Sequence, residues 1–207
     1  MIEWINNLNA LKAIVTSEWV SKGIDHKMLM SQIRQLLDNK KPDEKVAVFC
    51  EVVLPRCPAV FYKWFLEHFP EPSQWFASRS RYVRSLAVMS IVGYVLGLGD
   101  RHAENLLFDA TNGDTVHVDV NMIFDRGLNL TVPEIVPFRL TKNLLDAMGV
   151  TQHQGEFQKA CQVTLEVLRK NRVQLLSVFE TLAHDPIIDW RKKTTVPQVK
   201  NIKRGEK

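Results

Sequence analysis

The sequence predicts an α+β fold that is predominantly α-helical, with one small β-hairpin set into a helical body. Three observations carry this. Apolar residues recur at helical spacing through most of the chain. The longest such stretch, Glu71 to Leu96, stops at a Gly97-Leu98-Gly99 segment. An Asn112-Gly113 pair then separates two short apolar runs, which is a hairpin signal. With 207 residues, 45% of them hydrophobic and 24% charged, the chain can bury one sizeable core.

Taken in order, residues 1–25 read as an irregular opening segment with short apolar stretches. Lys27 to Leu37 carries Met28, Leu29, Met30, Ile33, Leu36 and Leu37 at helical spacing. Pro42-Asp43-Glu44 places proline and two acids at a helix start, and Pro55 and Pro58 are expected to end that helix. A third helix is expected from about Pro58 to His68. The helix from Glu71 to Leu96 opens on Pro72-Ser73 and is apolar enough to be the central buried one. Its aromatic and Met residues read as core. Leu106-Leu107-Phe108 and Val116 to Val120 form the two arms of the hairpin. Residues 121–141, with Gly127, Pro133 and Pro137, read as irregular. Helical spacing resumes at Lys142–Met148 and again from Glu156 to Leu182.

Charge divides the chain unevenly. Of the formal +4, residues 191–207 supply +6, so residues 1–190 are mildly acidic at −2. The basic tail reads as a solvated linker, and direct nucleic-acid binding by the body is not expected. No apolar run approaches the roughly 18 residues of a membrane span, and the N-terminus lacks the pattern of a signal peptide. Cys50, Cys57 and Cys161 form no C-x-x-C pair, and no histidine falls in a zinc-binding spacing. Gly97-Leu98-Gly99 lacks the third glycine of a dinucleotide fingerprint, since His102 stands there.

Polar side chains cluster where the long helix meets the hairpin. Asp100 precedes Asn105 by five residues, and Asp119 follows across the turn. Phosphoryl transfer asks for a base Asp, a metal-binding Asn five residues later, and a second metal-binding Asp after a short excursion. The Asn112-Gly113 turn would bring Asp119 beside Asn105, making an oxygen-rich edge suited to a hard cation such as Mg²⁺. A lone Asp-Arg pair in a loop is usually a solvated ion pair or a helix cap, and Trp4 alone would be core. The joint spacing of Asp100, His102, Asn105 and Asp119 favours the chemical reading. His117 reads as structural.

The order Asp100-Arg101-His102 inverts that of ordinary protein kinases. In Gly97-Leu98-Gly99-Asp100-Arg101-His102-Ala103-Glu104-Asn105-Leu106-Leu107 it resembles the phosphatidylinositol 3-kinase-related protein kinases. Ile2-Glu3-Trp4-Ile5, His117-Val118-Asp119 and Val132-Pro133-Glu134-Ile135-Val136-Pro137-Phe138-Arg139-Leu140-Thr141 extend the resemblance to residues 1–190, on the family's checkpoint side. It implies the C-terminal lobe of a protein-kinase-like fold over 1–190, from the hinge onward, with 191–207 as a basic tail. It implies Asp100 as catalytic base, His102 against the γ-phosphate, and Asn105 and Asp119 as ligands of Mg²⁺ or Mn²⁺. ATP would sit with its adenine near Trp4 and over Leu107 and Val118, and residues from Asp119 to about Pro137 would form the activation loop. The sequence departs from the family at Val120, where Phe is usual.

Lipid kinases share the Asp-Arg-His-x-x-Asn string, but between Val120 and Val136 the only basic residue is Arg126. A polyphosphorylated headgroup needs clustered Lys and Arg, so a Ser/Thr peptide is favoured over a phosphoinositide. The resemblance further implies Gln after the Ser or Thr, protein substrates in nuclear DNA-damage checkpoint signalling, and a regulatory subunit. No glycine-rich phosphate loop precedes residue 97. The chain is therefore expected to be one lobe of a larger polypeptide and inactive by itself. The competing expectation is a non-catalytic, pseudokinase-like interaction module.

Overall fold

The computed structural model describes residues 4–38, 40–130 and 136–184. Strand β1 (Leu8–Ala10) leads directly into helix α1 (Leu11–Ser21), a start that the opening segment does not advertise. Helix α2 (His26–Leu37) begins where Asp25 caps it, its carboxylate accepting from the N–H groups of Lys27 and Met28. Helix α3 (Pro42–Val48) does not stop before Pro55. It widens into a π-turn over Phe49–Val53 and continues as α4 (Leu54–Arg56). Pro55, which has no N–H to give, follows directly on the π-turn, where Leu54 donates to the Phe49 carbonyl and the regular i to i−4 ladder is interrupted.

Helices α5 (Phe61–His68) and α6 (Pro72–Leu96) form the centre. Phe61, Trp64 and Phe65 from α5, and Phe69 just after it, meet Tyr82 of α6 and Phe108 in one aromatic cluster. The Phe61 and Phe108 ring centres lie 4.5 Å apart. The Tyr82 hydroxyl, fully buried, donates to the carbonyl of Leu144 at 2.7 Å, which joins α6 to α7 (Lys142–Ala147). Helix α6 is not enclosed on every side: Phe76, Val88, Tyr94 and Val95 are exposed.

The hairpin forms as the Asn-Gly signal requires. β2 (Leu106–Asp109) and β3 (Thr115–His117) pair antiparallel, with Gly113 at φ +82° in the turn. A Cβ at Gly113 would lie 2.7 Å from the Ser78 carbonyl of α6, so the turn rests on the helix backbone. β1 adds to the free edge of β2, giving an antiparallel sheet in the order β1-β2-β3 rather than a lone hairpin. Residues directly opposite share a face, so Leu106, Phe108, Thr115 and His117 look inward while Leu107 and Val116 look outward beside Ala10.

Residues 121–141 contain a 3₁₀ turn over Arg126–Asn129 and are otherwise irregular where described. The helical run expected from Glu156 to Leu182 is broken in two. α8 (Gln158–Lys170) ends at Asn171 and α9 (Arg172–Ala183) begins afresh. The predicted basic tail, 191–207, lies outside the described residues. No helix among the described residues is long and apolar enough to cross a membrane.

Candidate active site

The site is built where α6 ends. Gly97 adopts the left-handed conformation (φ +59°), and the Leu98 N–H returns to the Gly93 carbonyl at 2.8 Å, closing the helix. A Cβ on Gly97 would sit 2.6 Å from the Asp125 nitrogen, so this glycine also lets residues 124–125 approach the helix end. The Asp125 N–H donates to the Gly97 carbonyl at 3.0 Å and the Phe124 N–H to that of Leu96 at 2.7 Å.

From there the chain turns through Asp100, also left-handed at φ +59°. Asn105 is nearly buried (7% exposed), and its side-chain amide donates to the Asp100 carbonyl at 2.9 Å. The Val118 N–H donates to the Asn105 carbonyl at 3.2 Å. Asp119 follows immediately at φ +55°, its carboxylate accepting from the Asn121 amide at 2.6 Å. The loop and the strand exit are thus stitched together, bringing Asp100, His102, Asn105 and Asp119 into one neighbourhood.

Arg101 makes the join rigid. It is 5% exposed, and its guanidinium donates to the carbonyls of Gly99 (3.0 Å), Val118 (2.7 Å) and Asp119. Main-chain carbonyls arranged around a guanidinium satisfy a buried charge and hold three chain positions at once. The Arg139 Nε donates in turn to the carbonyl of Arg101. Neither arginine has a role that motif spacing reveals. Their partners are main-chain atoms, which leave no complementary side chain in the sequence.

His102 projects from the loop with Nε2 3.9 Å from the Asp100 carboxylate. Its Nδ1 accepts from the Glu104 N–H at 3.2 Å, which places the proton of the neutral ring on Nε2. Lys12, at the start of α1, braces the loop twice: its N–H donates to the Ala103 carbonyl at 2.9 Å and its ammonium pairs with Glu104 at 2.7 Å. That hydrogen bond and the charge of Lys12 hold the Glu104 carboxyl below its ordinary pKa.

Leu107 faces outward on the sheet with Val116 and Ala10, and Val118 continues the same alternation beyond β3, so these half-exposed residues form one apolar floor. Trp4 is not packed on it. The indole is 85% exposed and precedes a left-handed residue, Asn7, before β1. His117 faces inward, with neither ring nitrogen hydrogen bonded. Burial first, and the charge of Arg101 second, push its pKa down to about 4. The structural reading of His117 is consistent with a neutral, enclosed ring.

A cavity of about 270 Å³ opens beside Gly97-Leu98-Gly99, walled by Tyr94, Asp125, Leu128, Val136 and Pro137. Among the described residues no three His, Cys, Asp or Glu side chains converge as a metal cluster.

A match to the family described as phosphatidylinositol 3- and 4-kinase spans residues 1–192. The chain belongs to this family. Within it, the chain is 44% identical to protein kinase rad3 of Schizosaccharomyces pombe over 99% of its length, and 43% identical to serine/threonine-protein kinase ATR of Arabidopsis thaliana over 97%. It covers 8% of each. The chain therefore spans about 8% of the length of the curated relatives it matches. Among solved structures, the FAT and kinase domain of CtTel1 superposes with a TM-score of 0.83 at 34% identity, covering 91% of this chain and 13% of that one. The resemblance to the phosphatidylinositol 3-kinase-related protein kinases holds, and so does the kinase C-terminal lobe that it implies as the fold.

Proposed function

We propose that this chain carries the phosphoryl-transfer half of a serine/threonine protein kinase active site. The observation that supports this best is the mutual bracing of Asp100, Asn105 and the Val118-Asp119 exit. Four polar side chains, dispersed over 20 positions, are gathered at one end of the sheet by contacts through the main chain.

The donor set suits magnesium. With the Asn105 nitrogen committed to Asp100, the amide oxygen is the atom left to meet a cation, and Asp119 adds a carboxylate. One amide oxygen and one carboxylate, without a full protein cage, is how Mg²⁺ is usually held when phosphates and water complete the shell. Bound there, the ion would neutralise charge on the ATP phosphates.

Asp100 accepts the proton of the substrate hydroxyl, or orients that hydroxyl for in-line attack. His102 offers its Nε2–H to the transferring phosphoryl group, the tautomer being set by Glu104. Leu107 and Val118 supply the apolar floor for the adenine, and the exposed indole of Trp4 is available to close over it. The cavity beside Leu98 borders the segment that would present the peptide. With Arg126 the only base between Val120 and Val136, a peptide substrate suits the site better than a polyphosphorylated lipid.

The names of the relatives support Ser or Thr as the target; Gln after it, nuclear DNA-damage checkpoint signalling and a regulatory subunit rest on the resemblance in sequence alone. A glycine-rich phosphate loop and its lysine are not found before residue 97 in these 207 residues, so we expect the isolated chain to be inactive. The test is a peptide kinase assay on the full-length protein, wild type beside Asp100→Ala and Asp119→Ala. Both variants should lose at least about 100-fold in kcat. Wild-type rates in both would refute the assignment.

A further inference from the structure

The chain beyond the sheet is tied back to the loop before it at two places, to Gly99 and Arg101 near Val118–Met122 and to Arg101 again at Arg139. At the first, the Arg101 guanidinium donates to the Val118 and Asp119 carbonyls, and the Gly99 N–H donates to the Met122 carbonyl at 2.7 Å. At the second, Arg139 reaches back through Nε to the Arg101 carbonyl. That carbonyl belongs to the peptide plane between Arg101 and His102. The plane is flanked by Arg101 and His102, and Asp100 lies one residue before it.

Asp100 and Asp119 both hold left-handed backbone conformations at φ +59° and +55°. Non-glycine residues stay there only where their surroundings over-determine them. Arg101 supplies that constraint from the Asp119 side. Arg139 adds a separate restraint next to them: rotating the Arg101–His102 plane, through ψ of Arg101 and φ of His102, would break its hydrogen bond. Arg139 is half-buried and borders the same small cavity as Leu98, Arg101 and His117, so solvent cannot freely replace the lost donor.

We propose that Arg139 is a positioning residue for the transfer step: by holding the Arg101–His102 peptide plane it sets the aim of Asp100 and His102, and makes their alignment depend on how the chain around residues 136–141 is seated. This rests on the phosphoryl-transfer reading above and adds a residue to it. Arg139 touches neither nucleotide nor peptide in this scheme. It acts through one main-chain oxygen, and a lysine, whose ammonium lies one bond beyond the Nε position, can partly replace it. Arg101, with three carbonyl partners in a fork, cannot be replaced in that way.

The experiment compares full-length wild type, Arg139→Ala, Arg139→Lys and Asp100→Ala. It measures kcat and KM for peptide and for Mg·ATP, and amide hydrogen exchange over residues 97–106 and 117–125. In Arg139→Ala, kcat should fall by about 10- to 100-fold, as misaligned catalytic groups cost, with KM for ATP changed by less than about threefold. Exchange should quicken in both stretches, and Arg139→Lys should recover most of the kcat and of the protection. The inference is overturned if Arg139→Ala keeps wild-type kcat while Asp100→Ala is inactive. It is equally overturned if kcat falls with exchange unchanged, or if Arg139→Lys is no better than Arg139→Ala. Wild-type activity in Asp100→Ala would overturn the underlying reading and this inference together.

Discussion

The side-chain amide of Asn105 donates to the main-chain carbonyl of Asp100 at 2.9 Å, so these two candidate site residues hold each other in place. Asparagine is needed for this as much as for any metal contact. An aspartate at 105 would be the stronger cation ligand, yet it has no donor and would set a carboxylate against a carbonyl. Asn105→Asp should therefore lower kcat of the full-length protein about as much as Asn105→Ala, on the order of 100-fold. A steady-state peptide assay decides it, and near-normal turnover in Asn105→Asp would show that the amide donor is dispensable.

Asp119 is the one carboxylate assigned to the cation. Asp119→Asn keeps an oxygen and the approximate shape but removes the charge, so the Mg²⁺ concentration giving half-maximal activity should rise by about tenfold or more. Titrating Mg²⁺ at fixed ATP measures this. An unchanged midpoint would remove Asp119 from the metal site.

His117 links stability to pH. Its folded pKa is about 4 and its ordinary value 6.5, so between these limits the unfolded chain binds more protons than the folded one. The fold should lose stability as pH falls from 6.5 toward 4, by up to about 3 kcal/mol from this ring. His117→Phe, which removes both unpaired nitrogens, should flatten that part of the profile in urea unfolding followed at several pH values. A slope identical to wild type would show that other groups carry it.

Gly113 should tolerate no side chain. It combines φ +82° with a Cβ position 2.7 Å from the Ser78 carbonyl, so Gly113→Ala forces the hairpin off α6. A loss of roughly 2 kcal/mol or more in denaturant unfolding is expected.

Tyr82→Phe removes the donor to the Leu144 carbonyl and leaves the aromatic packing in place. Burial already pushes the Tyr82 pKa well above its ordinary value, so the hydroxyl stays protonated. The variant should lose about 1 kcal/mol of stability, with the α6–α7 junction the first region to show faster hydrogen exchange.

Local features were legible in the sequence. α2, α5, α6 and α7 announce themselves by spacing, and Asn112-Gly113 specifies a turn because few residues accept positive φ. β1 was not legible: Leu8-Asn9-Ala10 is too short to show alternation, and its partner lies some hundred residues downstream. The break between α8 and α9 was hidden because apolar spacing runs on across Asn171. The helical run through Pro55 was hidden because a π-turn resets the hydrogen-bond pattern just before it.

The residues proposed for the chemistry, and their order, were legible in the sequence alone: Asp100, His102, Asn105 and Asp119 stand out by their joint spacing and by resemblance to the family. Tertiary structure decided what aims them. Arg101 gathers three carbonyls and Arg139 a fourth, and the backbone acceptors they meet are the same in every residue type. Nothing in a sequence distinguishes one carbonyl from another; only the folded path of the chain determines which of them an arginine can reach.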